Sequence, residues 1–359
     1  MDISSRVIQL SRRTPLRISR GICSDTVNIV VEIKAEGITG VGSGCPFSIG
    51  VHTETTEDIL EALGMIRDRV SPLHPLQREE THRRLAGASQ TVPGSALAAL
   101  DTALWDWMGK RAGLPLWRLL GLETSSIPPT SVTIGMEQAP EVRRIVRDWL
   151  ELAETLGDTF RIFKVKLGSP EGVEADKERV EVVQEEAGDR TVIVDANAAW
   201  SPKEAEDMCG WLSNRNIDIV EQPLAVDAYD HWRRLSDSAP VRLFADESCF
   251  HAEDLPTVAG FVDGVVVKMM KAGGLTGALR MIHAARACGL EVMLGCYADC
   301  AIANTAMSQI SALSDCVDLD SHLNMSNDPF TGAELRGGRL IPLERAGIGV
   351  ERNDVETRT

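Results

Sequence analysis

From about residue 126 onward the chain repeats one pattern: a short apolar run, a turn, then a helix-length amphipathic segment. The apolar runs fall at 131–135, 162–167, 192–195, 217–221, 241–246, 264–268, 291–294 and 316–320. Segments with helical periodicity lie between them, for example 139–156, 173–186, 202–214 and 275–288. Strands separated by helices cross over to parallel neighbours rather than fold back as hairpins. Eight such strands in roughly 200 residues fit a closed (β/α) barrel better than an open doubly wound sheet. No Gly-x-Gly-x-x-Gly follows the first strand, which weighs against a dinucleotide fold. Gly273-Gly274 opens a helix, and a tight turn is the use expected of that pair.

Residues 1 to about 125 read differently, as a small α+β unit. The alternating run 27–33, the turn Glu36-Gly37 and the run 38–42 predict a hairpin over 26–44. Ile59, Leu60, Leu63, Ile66 and Val70 have helical spacing. A more polar helix is expected over 75–85, and a third over 95–111, ended by Gly113 and Pro115. Segments 17–26 and 45–55 carry no strong period and are expected to be loops.

Composition excludes several classes. The net charge of -16 argues against a nucleic-acid or anionic-membrane partner. No apolar run approaches ~20 residues, the length that a membrane-spanning helix needs. Residues 1–16 alternate polar and apolar side chains without a signal-peptide core. The eight cysteines are scattered, with no Cys-x-x-Cys, and Cys296 and Cys300 have no histidines beside them. Reduced thiols in a cytoplasmic protein are expected, not a zinc site.

The chemistry sits where the strands end. In Phe163-Lys164-Val165-Lys166 two lysines share one face of a strand, and their mutual repulsion favours a basic, neutral amine. The third, fourth, fifth and sixth strands end in Asp195, Glu221, Asp246 and Lys268. Strand C-termini converge on the active-site face of such a barrel. Three carboxylates gathered there need a cation, and an all-oxygen set points to Mg²⁺, with Mn²⁺ as a substitute. A lysine on each side suits removal of a proton next to a carboxylate, metal stabilisation of the enediolate, and proton return from the opposite face.

These residues resemble the enolase superfamily in its muconate-lactonising-enzyme-like branch, over nearly the whole chain. Lys164-Val165-Lys166, Asp195-Ala196-Asn197, Glu221-Gln222-Pro223, Ala245-Asp246-Glu247-Ser248 and the run from Lys268 to Gly274 are similar to the family's barrel strands. The run from Ala98 to Asp106 resembles its helix joining cap to barrel. The resemblance implies a modified (β/α)8 barrel of (β/α)7β form, over 126–330. It also implies an N-terminal α+β capping domain, 1–125, and a segment, 331–359, returning to the cap. By the same resemblance Lys166 and Lys268 are the acid/base catalysts and Asp195, Glu221 and Asp246 hold Mg²⁺. Lys164 lowers the pKa of Lys166 and helps hold the substrate carboxylate, and Lys271 competes with Lys268 for the sixth-strand role.

Asp318 and Asp320 resemble the Asp-x-Asp with which dipeptide epimerases of this branch receive the substrate's α-ammonium group. The expected function is inversion of the α-carbon of the second residue of an L,L-dipeptide, in an enzyme free to form a homo-oligomer. Two departures bear on specificity. Gly21 stands where relatives acting on Ala-Glu carry a basic residue, with Arg20 and Ile22 beside it as substrate contacts. Asp299, a further expected substrate contact, replaces the usual seventh-strand glutamate, which weakens the case for a muconate-type cycloisomerase. An N-acylamino acid racemase or o-succinylbenzoate synthase would not need Asp318 and Asp320. An inactive binding protein on the same scaffold would not need the two lysines and three carboxylates.

Overall fold

The computed structural model describes residues 1–19, 21–49, 52–86 and 92–353. Its centre is an eight-stranded parallel sheet in chain order: Ser131–Ile134, Ile162–Lys166, Thr191–Asp195, Ile219–Glu221, Arg242–Ala245, Gly264–Lys268, Glu291–Gly295 and Cys316–Asp318. These are barrel strands one to eight. A parallel bridge between Thr130 and Val317 joins the last to the first and closes the barrel. Each of the first seven is followed by helix, from Ala139–Thr155 after strand one to Ala301–Ser308 after strand seven. Among the described residues strand eight is followed by no α-helix, the 3₁₀ turn Ser321–Asn324 standing in its place, so the barrel is (β/α)7β.

Side-chain alternation builds the interior in layers. Ile193, Ile219, Phe244, Val266 and Met293 form an apolar cluster inside the barrel, with Ile162 and Cys316 packed against it. Two residues further along these strands stand Asp195, Glu221, Asp246, Lys268, Gly295, Lys164 and Asp318. The period of two therefore sets a charged layer directly above an apolar floor. Gly295 keeps that layer open: a Cβ there would lie 3.1 Å from the Lys268 Cε.

The cap is a three-stranded antiparallel sheet, Asp2–Ile18, Gly21–Ala35 and Ile38–Gly44, covered by helices Thr56–Val70, Arg78–Ala86 and Gly94–Ala112. Gly40, Gly42 and Gly44 share one face of the third strand, where a Cβ would come within 2.2, 2.1 and 2.4 Å of carbonyl oxygens of the last helix. That close approach seats the helix backbone on the sheet. The described residues of segments 17–26 and 45–55, expected as loops, are largely strand. Arg17 pairs with Ile22 and Ile18 with Gly21 at one hairpin tip, and Phe47–Ile49 pairs with His52–Glu54 at another. Main-chain pairing carries these tips, so they need no alternating side chains.

Cap and barrel are joined at several points. The first strand bulges between Ser11 and Leu16, where Thr14 and Asn324 exchange two hydrogen bonds of 3.0 and 2.8 Å. The buried Asn28 amide donates to Ala298 O and accepts from Cys300 N, both at 3.0 Å. Around residue 348 the chain returns to the helix Gly94–Ala112, where Ile348 N donates to Asp106 Oδ1 at 2.9 Å. Among the described residues no helix is long and apolar enough to cross a membrane.

Candidate active site

The lysines and carboxylates expected from the strand ends meet above the apolar floor. Neighbouring strands pair Lys166 with Asp195 and Asp195 with Glu221, which fixes the side chains next to one another. Lys166 Nζ donates to Asp195 Oδ2 at 2.5 Å, and Lys268 Nζ to Asp246 Oδ2 at 2.6 Å. Lys164, fully buried, donates to Glu221 Oε2 at 2.6 Å and Asp318 Oδ2 at 2.8 Å. Asn197 holds Asp195 through its backbone and its amide, at 2.9 and 3.1 Å. The chain turns sharply just after two of the carboxylates. Asn197, Ala198 and Gln222 have φ of 45°, 64° and 41°, a strained region that non-glycine residues rarely occupy.

Two lysines were expected to weaken each other's hold on protons, but carboxylates dominate around Lys164. Burial opposes its charge, yet Asp318, Glu221 and Asp195 outweigh burial and hold its pKa well above the ordinary lysine range. Lys268 is likewise raised, burial being outweighed by Asp246 and Glu221. Asp195 is held low by Lys166 and Lys164 against burial, and Asp246 by Lys268 and Lys271. Glu221 goes the other way: burial and the Asp195 charge raise it.

Among the described residues no three acidic, histidine or cysteine side chains stand in ligand geometry for a metal. The carboxylates turn instead onto lysines. The donor chemistry nevertheless suits a hard divalent cation. Asp195, Glu221 and Asp246 are fully buried oxygen donors on adjacent strands, Asp195 raises the pKa of Glu221, and Glu221 Oε1 is buried with no hydrogen-bond partner.

A cavity of about 320 Å³ opens between these residues and the cap. Lys166 and Lys268 line it, as do Asp318, Asp320 and Ile22. Asp320 Oδ2 accepts from Thr133 N at 2.6 Å, and Asp318 Oδ1 from the Ser131 hydroxyl at 2.5 Å. Burial and Asp318 raise Asp320 to about 6. Lys164 and the three metal-ligand candidates lie beneath the cavity lining. Arg20 lies outside the described residues. Asp299 does not reach the cavity: its short side chain accepts from Tyr297 N at 3.2 Å, and burial raises it to about 6. Lys271 spends its donors on Asp246 Oδ1, Asp246 O and Cys249 O at 2.6, 2.7 and 3.0 Å, which leaves Lys268 as the sixth-strand lysine in the cavity.

Sequence reasoning missed Arg12, Thr133, Trp149 and Tyr297, all cavity-lining. Tyr297 stacks on Phe47 of the cap at 4.6 Å, and the Lys268 ammonium lies 4.7 Å from its ring centre. Thr133, Trp149 and Tyr297 belong to the barrel, where Trp149 Nε1 donates to Thr133 O at 3.3 Å, and Arg12 to the cap; no motif marks them, because they come from separate elements.

Comparison with known proteins agrees with this architecture. Residues 3–121 match the mandelate racemase/muconate lactonizing enzyme N-terminal domain, and residues 144–356 match the enolase C-terminal domain-like family. A "hydrophobic dipeptide epimerase" of Roseobacter litoralis is 39% identical over 97% of this chain and 98% of its own length. The crystal structure of a dipeptide epimerase from Enterococcus faecalis V583, complexed with Mg and L-Leu-L-Tyr, superposes with a TM-score of 0.87. It is 30% identical and covers 97% of this chain and 98% of that one. A dipeptide epimerase from Methylococcus capsulatus, complexed with Mg and L-Arg-D-Lys, gives the same TM-score, identity and coverage. The chain belongs to the mandelate racemase/muconate lactonizing enzyme family of the enolase superfamily.

Proposed function

We propose that this protein is a Mg²⁺-dependent dipeptide epimerase that inverts the α-carbon of the second residue of an L,L-dipeptide. The observation that carries this reading is that Lys166, Lys268, Asp318 and Asp320 line one cavity, of a size suited to a small-molecule ligand. Lys166 removes the α-proton from one face and Lys268 delivers a proton to the other, and the roles exchange for the reverse reaction. Asp195, Glu221 and Asp246 would hold Mg²⁺, which when bound neutralises the substrate carboxylate and so acidifies the α-proton. Lys164 ties Glu221 to Asp318 from below. Asp318 and Asp320 receive the α-ammonium group.

The cap supplies specificity. Leu16, Ile18, Ile22, Phe47 and Ile49 make the apolar part of its cavity wall, while the charged Arg12 acts on Asp299 and Asp320, and this apolar part favours an apolar second residue. In this reading 1–125 is the cap, 126–330 the catalytic barrel and 331–359 the returning segment. All eight cysteines are unpaired, which supports a reducing, cytoplasmic compartment. Neither nucleic acid nor membrane takes part.

The test is incubation with L,L-dipeptide mixtures and, separately, with N-acyl-L-amino acids, each with Mg²⁺, followed by chiral chromatography. L,D-products that disappear on chelation are expected. Racemised N-acylamino acids without any L,D-dipeptide would transfer the assignment to the racemase alternative.

A further inference from the structure

Gln222 follows the metal-ligand candidate Glu221, and neither sequence motif nor cavity lining gives it a task. It is fully buried, and its φ of 41° is one that its side chain must stabilise against strain. All four hydrogen-bonding positions of its amide are used. Oε1 accepts from Asp246 N at 2.9 Å and Ser248 N at 3.1 Å, while Nε2 donates to Leu224 O at 2.9 Å and to the Ser248 hydroxyl at 2.7 Å. Its backbone completes the set: Gln222 N donates to Phe244 O at 2.8 Å, and Gln222 O accepts from Ala198 N at 2.8 Å. Ala198 itself sits in the left-handed region three residues after Asp195.

We infer that Gln222 is the positioning residue that sets the spacing of Asp195, Glu221 and Asp246, and with it the divalent-metal affinity of the site. This inference rests on the metal reading proposed above. One residue reaches all three strand ends that carry a carboxylate: Glu221 through the peptide bond, Asp246 through its amide oxygen, and the turn after Asp195 through its carbonyl. The ladder between strands four and five stops at Glu221 opposite Phe244, and that between strands five and six at Ala245 opposite Val265, so neither reaches Asp246. Asp246 lies two residues beyond the last pair with strand four, and the Gln222 amide extends the link between these two strands to it. Groups that orient metal ligands from behind commonly change affinity ten- to a hundredfold when removed.

The experiment titrates Mn²⁺ into metal-free wild type, Gln222→Met and Gln222→Asn, followed by electron paramagnetic resonance, with melting temperature measured on the same metal-free samples. Methionine keeps the length and loses all four amide bonds. Asparagine keeps the amide and is too short to span to Asp246 N. Both variants should bind Mn²⁺ at least tenfold more weakly, with an altered spectrum for the bound ion. A folded Gln222→Met protein whose Kd rises less than tenfold would overturn the inference. If that variant does not fold, the same threshold applies to Gln222→Asn. A lowered melting temperature with unchanged Kd means that Gln222 only supports the fold, and also overturns it. Wild type that binds no Mn²⁺ removes the metal reading itself, an outcome distinct from variants that bind as wild type does.

Discussion

Asp320 gives the sharpest test of substrate class. The two eighth-strand carboxylates are not equivalent: Asp318 is already neutralised by Lys164 at 2.8 Å, whereas Asp320 accepts from the neutral Thr133 N and has no lysine beside it. Its Oδ1 lies 3.9 Å from the Cys296 thiol, and the Arg12 guanidinium acts on it through space without a hydrogen bond. An incoming α-ammonium group therefore finds its less compensated partner in Asp320. A charge-assisted hydrogen bond has a net worth of about 1.5–3 kcal/mol, or roughly ten- to a hundredfold in kcat/KM. Wild type should prefer a free-amine dipeptide to its N-acetyl form by that factor, and Asp320→Asn should bring the preference close to unity. The pH dependence has a definite sign. Burial and Asp318 raise Asp320 to about 6, so acid protonates it and weakens the ammonium site. At pH 5 only about a tenth of Asp320 is ionised, and the preference should fall by up to about tenfold from its value at pH 7.5. The assay is kcat/KM for both substrate forms on both proteins from pH 5 to 8. Wild type that takes the N-acetyl form equally well at every pH refutes the reasoning.

Three further outcomes are expected. Glu221→Gln should fold, bind Mg²⁺ at least tenfold more weakly by calorimetry, and lose epimerisation, because it removes one of three anionic donors. Ile22→Lys at the cap tip should raise kcat/KM for an acidic second residue relative to leucine, since Ile22 lines the cavity and is 55% exposed; an unchanged ratio would detach the tip from specificity. His322 is pushed down to about 4 by burial, so the unfolded chain takes up a proton between pH 6.5 and 4 that the folded one refuses. That contribution is present above pH 6.5 and is lost as pH falls toward 4, by up to roughly 3 kcal/mol. His322→Gln should flatten this part of the stability profile in urea unfolding at pH 7 and 4.5.

The barrel was legible because its strands are buried on both faces and end in charge. All eight lie within about two residues of their expected positions, the usual uncertainty of an element boundary. The inward alternation of Lys164 and Lys166 followed from the same period. The cap tips were not legible. The strand Asp2–Ile18 buries only Ile3 and Leu10, so its apolar pattern is faint, and its bulge breaks what period remains. The electrostatics were not legible: the sequence suggested repulsion between neighbouring lysines, whereas at Lys164 the pull of carboxylates such as Asp318, 154 residues away, outweighs burial. Asp299 was expected at the substrate, yet its side chain is one methylene shorter than glutamate and satisfies its own loop at Tyr297 N.

The central claim is that Lys166 and Lys268 act on opposite faces of one α-carbon. It is tested most directly by mass-spectrometric deuterium uptake at Cα in D₂O with Mg²⁺, using L,L- and L,D-dipeptides separately. Wild type should label both epimers and interconvert them. Lys166→Ala and Lys268→Ala should each stop interconversion, each exchanging only the epimer whose α-proton faces the surviving lysine, with opposite preferences. Continued epimerisation by either variant, or the same epimer labelled by both, would contradict the account.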